Sequence, residues 1–158
     1  MLSVTRETPN QADILALFEQ SDAYAASLYP EEDRHPVDVD YLSAAHVRFF
    51  VARWQGQAVG CGALVIGANG IAEVKRVVVD AAARGKGIGR AVLAVIEAAA
   101  IADGVRLIQL ETGPLSTPAL RLYRAFGYRE RGPFGSYRPS PFSLFMERDL
   151  LQETEAAG

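Results

Sequence analysis

Val77-Val78-Val79-Asp80-Ala81-Ala82-Ala83-Arg84-Gly85-Lys86-Gly87-Ile88-Gly89-Arg90 runs from a β-branched strand, through a glycine-rich loop, into a helix. Three glycines within the five positions 85–89 let the backbone approach a ligand closely and turn several N–H groups the same way. After the loop, Ile88, Val92, Val95, Ile96 and Ala99 fall on one helical stripe. The loop therefore opens a helix, whose free N–H groups and positive dipole end favour phosphate. Arg84, Lys86 and Arg90 add charge, a combination suited to a pyrophosphate. The loop lacks the Gly-Lys-[Ser/Thr] ending of a Walker loop. Its Gly85-x-Gly87-x-Gly89 spacing is one residue short of the dinucleotide fingerprint, and no parallel β-α-β repeat surrounds it. Taken alone, the loop also reads as an ordinary turn with surface arginines.

Working outward, strand and helix periods alternate. Leu2–Glu7 reads as a short strand broken by Thr8-Pro9-Asn10. Gln11–Leu28 carries Ile14, Leu15, Leu17, Phe18 and Ala25 at helical spacing and closes at Tyr29-Pro30. An acidic, turn-rich stretch follows, and Val39–Ala45 is a second short helix. Val47–Arg53, Ala58–Ile66 and Ile71–Val79 are strands joined at Gln55-Gly56-Gln57 and Gly67-Ala68-Asn69-Gly70, an antiparallel meander. Beyond the loop helix, Val105–Thr112 is a strand with Val105, Leu107, Ile108 and Leu110 buried. A helix starts at a Thr117 cap followed by Pro118 and stops at Gly127. Tyr128–Arg131 and Phe142–Arg148 are the last strands. The expectation is one α+β domain over residues 1–150, of order β-α-α-β-β-β-α-β-α-β-β, with a frayed tail at 151–158.

The 158-residue chain is 49% hydrophobic, enough for one core without disulfide or metal. The lone Cys61 excludes an internal disulfide and a cysteine-built zinc site, and two histidines make no metal centre. There is no apolar run of about 18 residues and no basic-then-apolar leader, so the expected location is the reducing cytoplasm, with no membrane partner. Charge is uneven: residues 1–73 carry four Lys/Arg against ten Asp/Glu, residues 74–131 ten against five, and residues 132–158 two against four. A basic middle inside an acidic protein marks a local anion site rather than a nucleic-acid surface.

From Glu73 to Tyr128 the sequence resembles the GNAT-type N-acetyltransferases. Their acetyl-CoA signature, [Gln/Arg]-x-x-Gly-x-[Gly/Ala], is matched by Arg84-Gly85-Lys86-Gly87-Ile88-Gly89 after a valine-rich strand. Their second motif, Asn-x-x-Ala-x-x-x-Tyr with a Gly-aromatic end, is matched by Ser116-Thr117-Pro118-Ala119-Leu120-Arg121-Leu122-Tyr123 and Phe126-Gly127-Tyr128. Ser116 stands where the family often has Asn. The resemblance implies a mixed, mostly antiparallel sheet flanked by helices, with two strands splayed at the acetyl-CoA site. It also implies acetyl transfer to a primary amine by direct attack, with CoA as product. Dimers are common among such enzymes, so a homodimer is an expected assembly.

By the same resemblance, backbone groups of Val77 and Val79 bind the pantetheine and face the acetyl oxygen. Residues Arg84, Gly85, Lys86, Gly87, Ile88, Gly89 and Arg90 hold the pyrophosphate, and Ser116 supplies a hydroxyl. Tyr123 matches the general acid; a core aromatic is its structural alternative. Glu73 matches a catalytic base in some members, and its strand parity with Val77 aims it into the cleft. Its alternative is a charge partner for Lys75 or Arg76, with Glu111, His46, His35 or water as rival bases. Cys61, between two glycines in an apolar strand, reads as a small buried residue rather than a nucleophile.

The acceptor site is expected between residues 22–35 and 133–141, with Tyr29, Arg34, His35 and Tyr137 as candidate contacts. The acidic residues Asp22, Glu31, Glu32 and Asp33 suit a cationic amine, whereas Arg34, Arg138 and His35 suit the carboxylate of an amino acid. A protein or peptide acceptor and a non-catalytic CoA-binding module are the other readings.

Overall fold

Two tight turns build the first half of the sheet. Gln55 and Gly56 both have positive φ (51° and 81°), as do Asn69 and Gly70 (61° and 75°). Such turns match the right-handed twist of the strands they join. In the computed structural model, which describes residues 1–151, these turns connect β2 (Val47–Trp54), β3 (Gln57–Ile66) and β4 (Ile71–Val79). β1 (Leu2–Arg6) pairs antiparallel with β2 at the edge. Helices α1 (Ala12–Leu28) and α2 (Val39–Leu42) lie between β1 and β2 in sequence. After β4 come α3 (Ile88–Ala102), β5 (Leu107–Thr112), α4 (Thr117–Ala125), β6 (Arg129–Arg131) and β7 (Leu144–Asp149). The α+β order read from the sequence is the order observed. The last seven residues of the expected tail lie outside the described residues.

The seven strands form one sheet in the order β1-β2-β3-β4-β5-β7-β6. All neighbours are antiparallel except β4 and β5. That parallel ladder is brief: Ile71, Ala72 and Glu73 pair with Leu107, Ile108 and Gln109, and the pairing ends there. β4 runs on to Val79 and β5 to Thr112 without meeting again. The two strands splay.

A core lies on each face. On one, Val92, Leu93, Ile96 and Ala100 of α3 pack on Leu64, Val74, Ile108 and Leu110. On the other, Ile14, Leu17 and Phe18 of α1 pack on Phe49, Val51, Cys61, Ala63 and Val78. Leu15, expected on the packed stripe of α1, is exposed, and Leu107 is only half-buried. Gly62 lets α3 approach β3: a Cβ there would stand 2.8 Å from Ile96 and 2.9 Å from Val92. The buried Glu97 of α3 accepts from Arg148 of β7, tying the helix to the second half of the sheet. No described helix is long and apolar enough to cross a membrane.

β4 carries a bulge that corrects one sequence expectation. Val78 pairs with Cys61, but Lys75 pairs with Ala63, so β4 holds one extra residue opposite Gly62. At the bulge Arg76 has φ 54°. The extra residue reverses parity. Ala72 and Val74 before it face α3, and so do Val77 and Val79 after it. Glu73 and Val77, which share parity in the sequence, thus lie on opposite faces of the sheet.

Arg76 adopts a left-handed backbone that costs a non-glycine residue about 1–2 kcal/mol. Its side chain offsets that cost. The guanidinium bonds Asp22 of α1 at 2.6 Å, donates to the Val37 carbonyl at 3.2 Å and stacks 4.5 Å from the Phe18 ring. Arg76→Ala loses these anchors and keeps the strain, whereas Arg76→Gly loses the anchors and the strain together. Both variants should be less stable than the parent, with the glycine variant the more stable of the two by about 1 kcal/mol. Urea midpoints check this; an alanine variant at least as stable as the glycine one would remove the strain from the account.

Candidate active site

The splay opens a cleft of about 1110 Å³ running from the α3 N-terminus to the segment after α1. Its size suits a large ligand together with a second, smaller one. At one end the chain turns through Gly85 and Gly87, both with positive φ (79° and 76°). A Cβ at either would meet nothing, so backbone conformation, not space, demands glycine there. Gly87 is the N-cap of α3 and offers no side chain, leaving the first-turn N–H groups free for an anion. Arg84 leans on the Tyr24 ring at 5.7 Å. Arg84, Gly85, Gly87, Ile88, Gly89 and Arg90 all line the cleft. Lys86 does not; its side chain is exposed away from the lining.

Along the cleft wall runs the edge of β4 beyond Glu73, with no strand beside it. Val77 and Val79 line this wall while packing against the α3-side core. Their contribution to the cleft is therefore backbone, which is why valine serves.

From α4, Tyr123 reaches the cleft and is only 7% exposed. Burial first, and the nearby Glu111 carboxylate second, push its phenol well above the ordinary range, so it stays protonated. It is both a core aromatic, 5.7 Å from the Tyr128 ring, and a cleft residue. α4 begins at Thr117 with Ser116, rather than Thr117, as its cap residue. The Ser116 hydroxyl makes no capping bond; it lies 2.9 Å from the Tyr29 hydroxyl. Tyr29 also accepts from the Leu115 N–H at 2.9 Å. The residue that ends α1 is thereby docked onto the loop between β5 and α4.

Opposite Tyr123, the α1 face of the sheet presents a charged cluster. Glu73 accepts from the Tyr137 hydroxyl at 2.7 Å and pairs with Lys75 at 3.2 Å. Lys75 itself donates to the Tyr137 oxygen at 2.6 Å. The sequence alternative for Glu73, a charge partner for Lys75, is thus realised within the cleft. Glu111 of β5 also lines the cleft. Desolvation raises its carboxyl above the usual range, opposed in part by the charges of His35 and Lys75. The His35 ring meets Tyr137 edge-on at 5.3 Å. Tyr29, Arg34, His35 and Tyr137 all line this end, as expected. His46 and Arg138 are not among the lining residues. Cys61 is fully buried, and desolvation pushes its thiol up to about 12, which leaves no thiolate to act as a nucleophile.

Lys75 is the cleft residue that sequence reasoning used only as a partner of Glu73. Its place beside Tyr137 depends on a contact 62 residues away in the chain, and no local pattern announces it. Gly113 was likewise unmarked: its role is to leave room for the Tyr29 ring.

Comparison with known proteins agrees with this fold. Residues 14–128 match the model of the acetyltransferase (GNAT) family. An IAA acetyltransferase of Azospirillum brasilense is 45% identical over 150 residues, spanning 94% of this chain and 98% of that protein. A candidate acyl-CoA N-acyltransferase from Klebsiella pneumoniae subsp. pneumoniae MGH 78578 superposes with a TM-score of 0.81 at 36% identity, covering 95% of this chain and 98% of that one. The PaiA N-acetyltransferase of Thermoplasma acidophilum, solved in complex with coenzyme A, shares the fold with a TM-score of 0.74 at 16% identity, over 94% of this chain and 99% of that one.

A Cβ on Gly113 would stand 2.0 Å from the Tyr29 hydroxyl oxygen. Gly113→Ala should expel the Tyr29 ring and cost about 1–3 kcal/mol. In a Tyr29→Ala background the same change should cost under about 0.5 kcal/mol, a coupling that denaturation of the four cycle members measures. Additive costs would show that Tyr29 does not depend on Gly113.

Proposed function

The chain belongs to the acetyltransferase (GNAT) family, and on that premise we propose that it moves the acetyl group of acetyl-CoA to the primary amine of a small acceptor by direct attack within a ternary complex. The observation that carries this reading is the splayed cleft itself. A glycine-built helix N-terminus stands at one end, an open strand edge lies along the wall, and a buried phenol and two carboxylates line the same space. The partly enclosed acceptor end, walled by Tyr29, Tyr137 and Phe142, favours a small molecule over a polypeptide. A cytoplasmic setting accords with the free, buried Cys61.

Acetyl-CoA, when bound, supplies an activated acetyl group on a thioester. The α3 N-terminus, with Arg84 and Arg90, would hold its pyrophosphate. The β4 edge at Val77 and Val79 would bind the pantetheine amides and donate to the oxygen on which charge develops. Ser116 would add a hydroxyl contact. The acceptor's ammonium gives one proton to a base, and its nitrogen forms the new N–C bond as the C–S bond breaks. A second proton reaches sulfur from Tyr123 and is made good by the nitrogen. Burial keeps the Tyr123 phenol protonated, so a proton is in place when the C–S bond breaks.

For the base we propose Glu111. Its carboxyl is raised by desolvation toward the working range and faces Lys75 and His35. Glu73 is the second reading: it lies in the same cluster, but its carboxylate already receives Tyr137 and Lys75.

Titration with acetyl-CoA, followed by thiol-release assays over a panel of amines, tests the reading. Micromolar binding and amine-dependent release are expected; no binding at millimolar acetyl-CoA would overturn it. Tyr123→Phe should keep acetyl-CoA binding and lower kcat roughly 10²-fold or more. With Glu111 as base, kcat/KM rises with pH as its carboxyl ionises, above the normal carboxylate range. Glu111→Gln should abolish that acidic limb, whereas its loss in Glu73→Gln instead would move the base to Glu73.

A further inference from the structure

Three cations stand at the acceptor end of the cleft: Arg34, Lys75 and Arg76. Two are neutralised within the protein, Lys75 by Glu73 and Arg76 by Asp22. Arg34 has no ion-pair partner among the described residues. Its Nε is buried and meets no hydrogen-bond acceptor. The acids beside it in sequence do not serve it. The Asp33 carboxylate accepts from the Ser140 hydroxyl, and Glu31 and Glu32 are exposed.

A guanidinium N–H taken out of water without an acceptor is costly. Here the position is held rather than relaxed. The Arg34 N–H bonds the Glu31 carbonyl at 3.2 Å, the next residue's ring rests on Tyr137, and Asp33 is tied to Ser140. Arg34 is therefore the cation of this end that no ion pair among the described residues neutralises, with the Glu31 and Asp33 carboxylates also on the lining. Asp22 and Glu73 are each paired with another cation.

Resting on the acetyl-transfer reading above, we propose that the acceptor carries a carboxylate beside its amine, an amino acid or similar amino-carboxylate, and that Arg34 binds that carboxylate. The planar guanidinium fork matches a carboxylate in two parallel bonds and gives the buried Nε its missing acceptor. The amine of such a ligand is left toward Glu111 and the open β4 edge.

The test compares amino acids with their own carboxamides in the thiol-release assay with acetyl-CoA. The acids should exceed the amides in kcat/KM by about 30-fold or more. Arg34→Gln should raise KM for the acids and bring the acid-to-amide ratio to within about threefold of one, with the KM for acetyl-CoA unmoved. Arg34→Lys should restore part of the ratio. A second readout needs no turnover: calorimetry of the CoA-loaded protein with N-acetylamino acids against N-acetylamino acid amides. Acid-selective binding that vanishes in Arg34→Gln supports the subsite even if no amine is acetylated, in which case the acetyl-transfer reading fails alone. Equal handling of acids and amides in both measurements overturns the proposal, as does discrimination that survives Arg34→Gln.

Discussion

The parallel pairing of β4 with β5 stops after three residue pairs, and the site depends on that stop. Had the ladder continued, the β4 edge would be spent on β5 and the sheet would be closed. The strands are driven apart by what flanks them: α3 packs its apolar stripe under β4, while the Gly113–Ser116 turn swings β5 out toward α4. Because the strands part, side chains from opposite faces of one sheet look into one space. Tyr123 arrives from the α3 side and Glu73 and Glu111 from the α1 side. A phenol and two carboxylates are thus held apart across a cleft without any loop having to place them.

The bulge at Arg76 is the second constraint. It resets the register of β4 so that Val77 and Val79 turn their side chains to the α3 core and leave backbone at the cleft wall. Its strain is held by an ion pair to α1, a carbonyl of the following loop and the Phe18 ring. The same contacts fix the helix and loop that carry Tyr29 and Arg34. The open β4 edge and the far end of the cleft are in this way anchored to one residue.

Much of this was legible before the structure. Strand and helix periods, the two turns with glycine and the loop Arg84–Arg90 follow from local chemistry, and local chemistry is what a sequence displays. Glu73 lines the cleft as expected, but the face it was to share with Val77 was misjudged because a bulge adds one residue without altering composition: Lys75, Arg76 and Val77 look like any alternating strand. The cap of α4 was misplaced for a related reason. Ser116 and Thr117 are both able caps, and the choice was made by Tyr29, which lies 87 residues away in sequence. The commitment of Asp22 to Arg76 was equally hidden, since it joins residues 54 apart in the chain, whereas the pairing of Glu73 with Lys75 was among the alternatives the sequence offered.

The central claim is that the open edge of β4 and the α3 N-terminus together bind the acyl donor. Amide hydrogen exchange with and without coenzyme A tests it most directly. Protection gained at residues 74–79 and 85–91, with β2 and β3 unchanged, is the result the account predicts. Exchange at 74–79 unaffected by saturating coenzyme A, or protection confined to another face of the sheet, would contradict it.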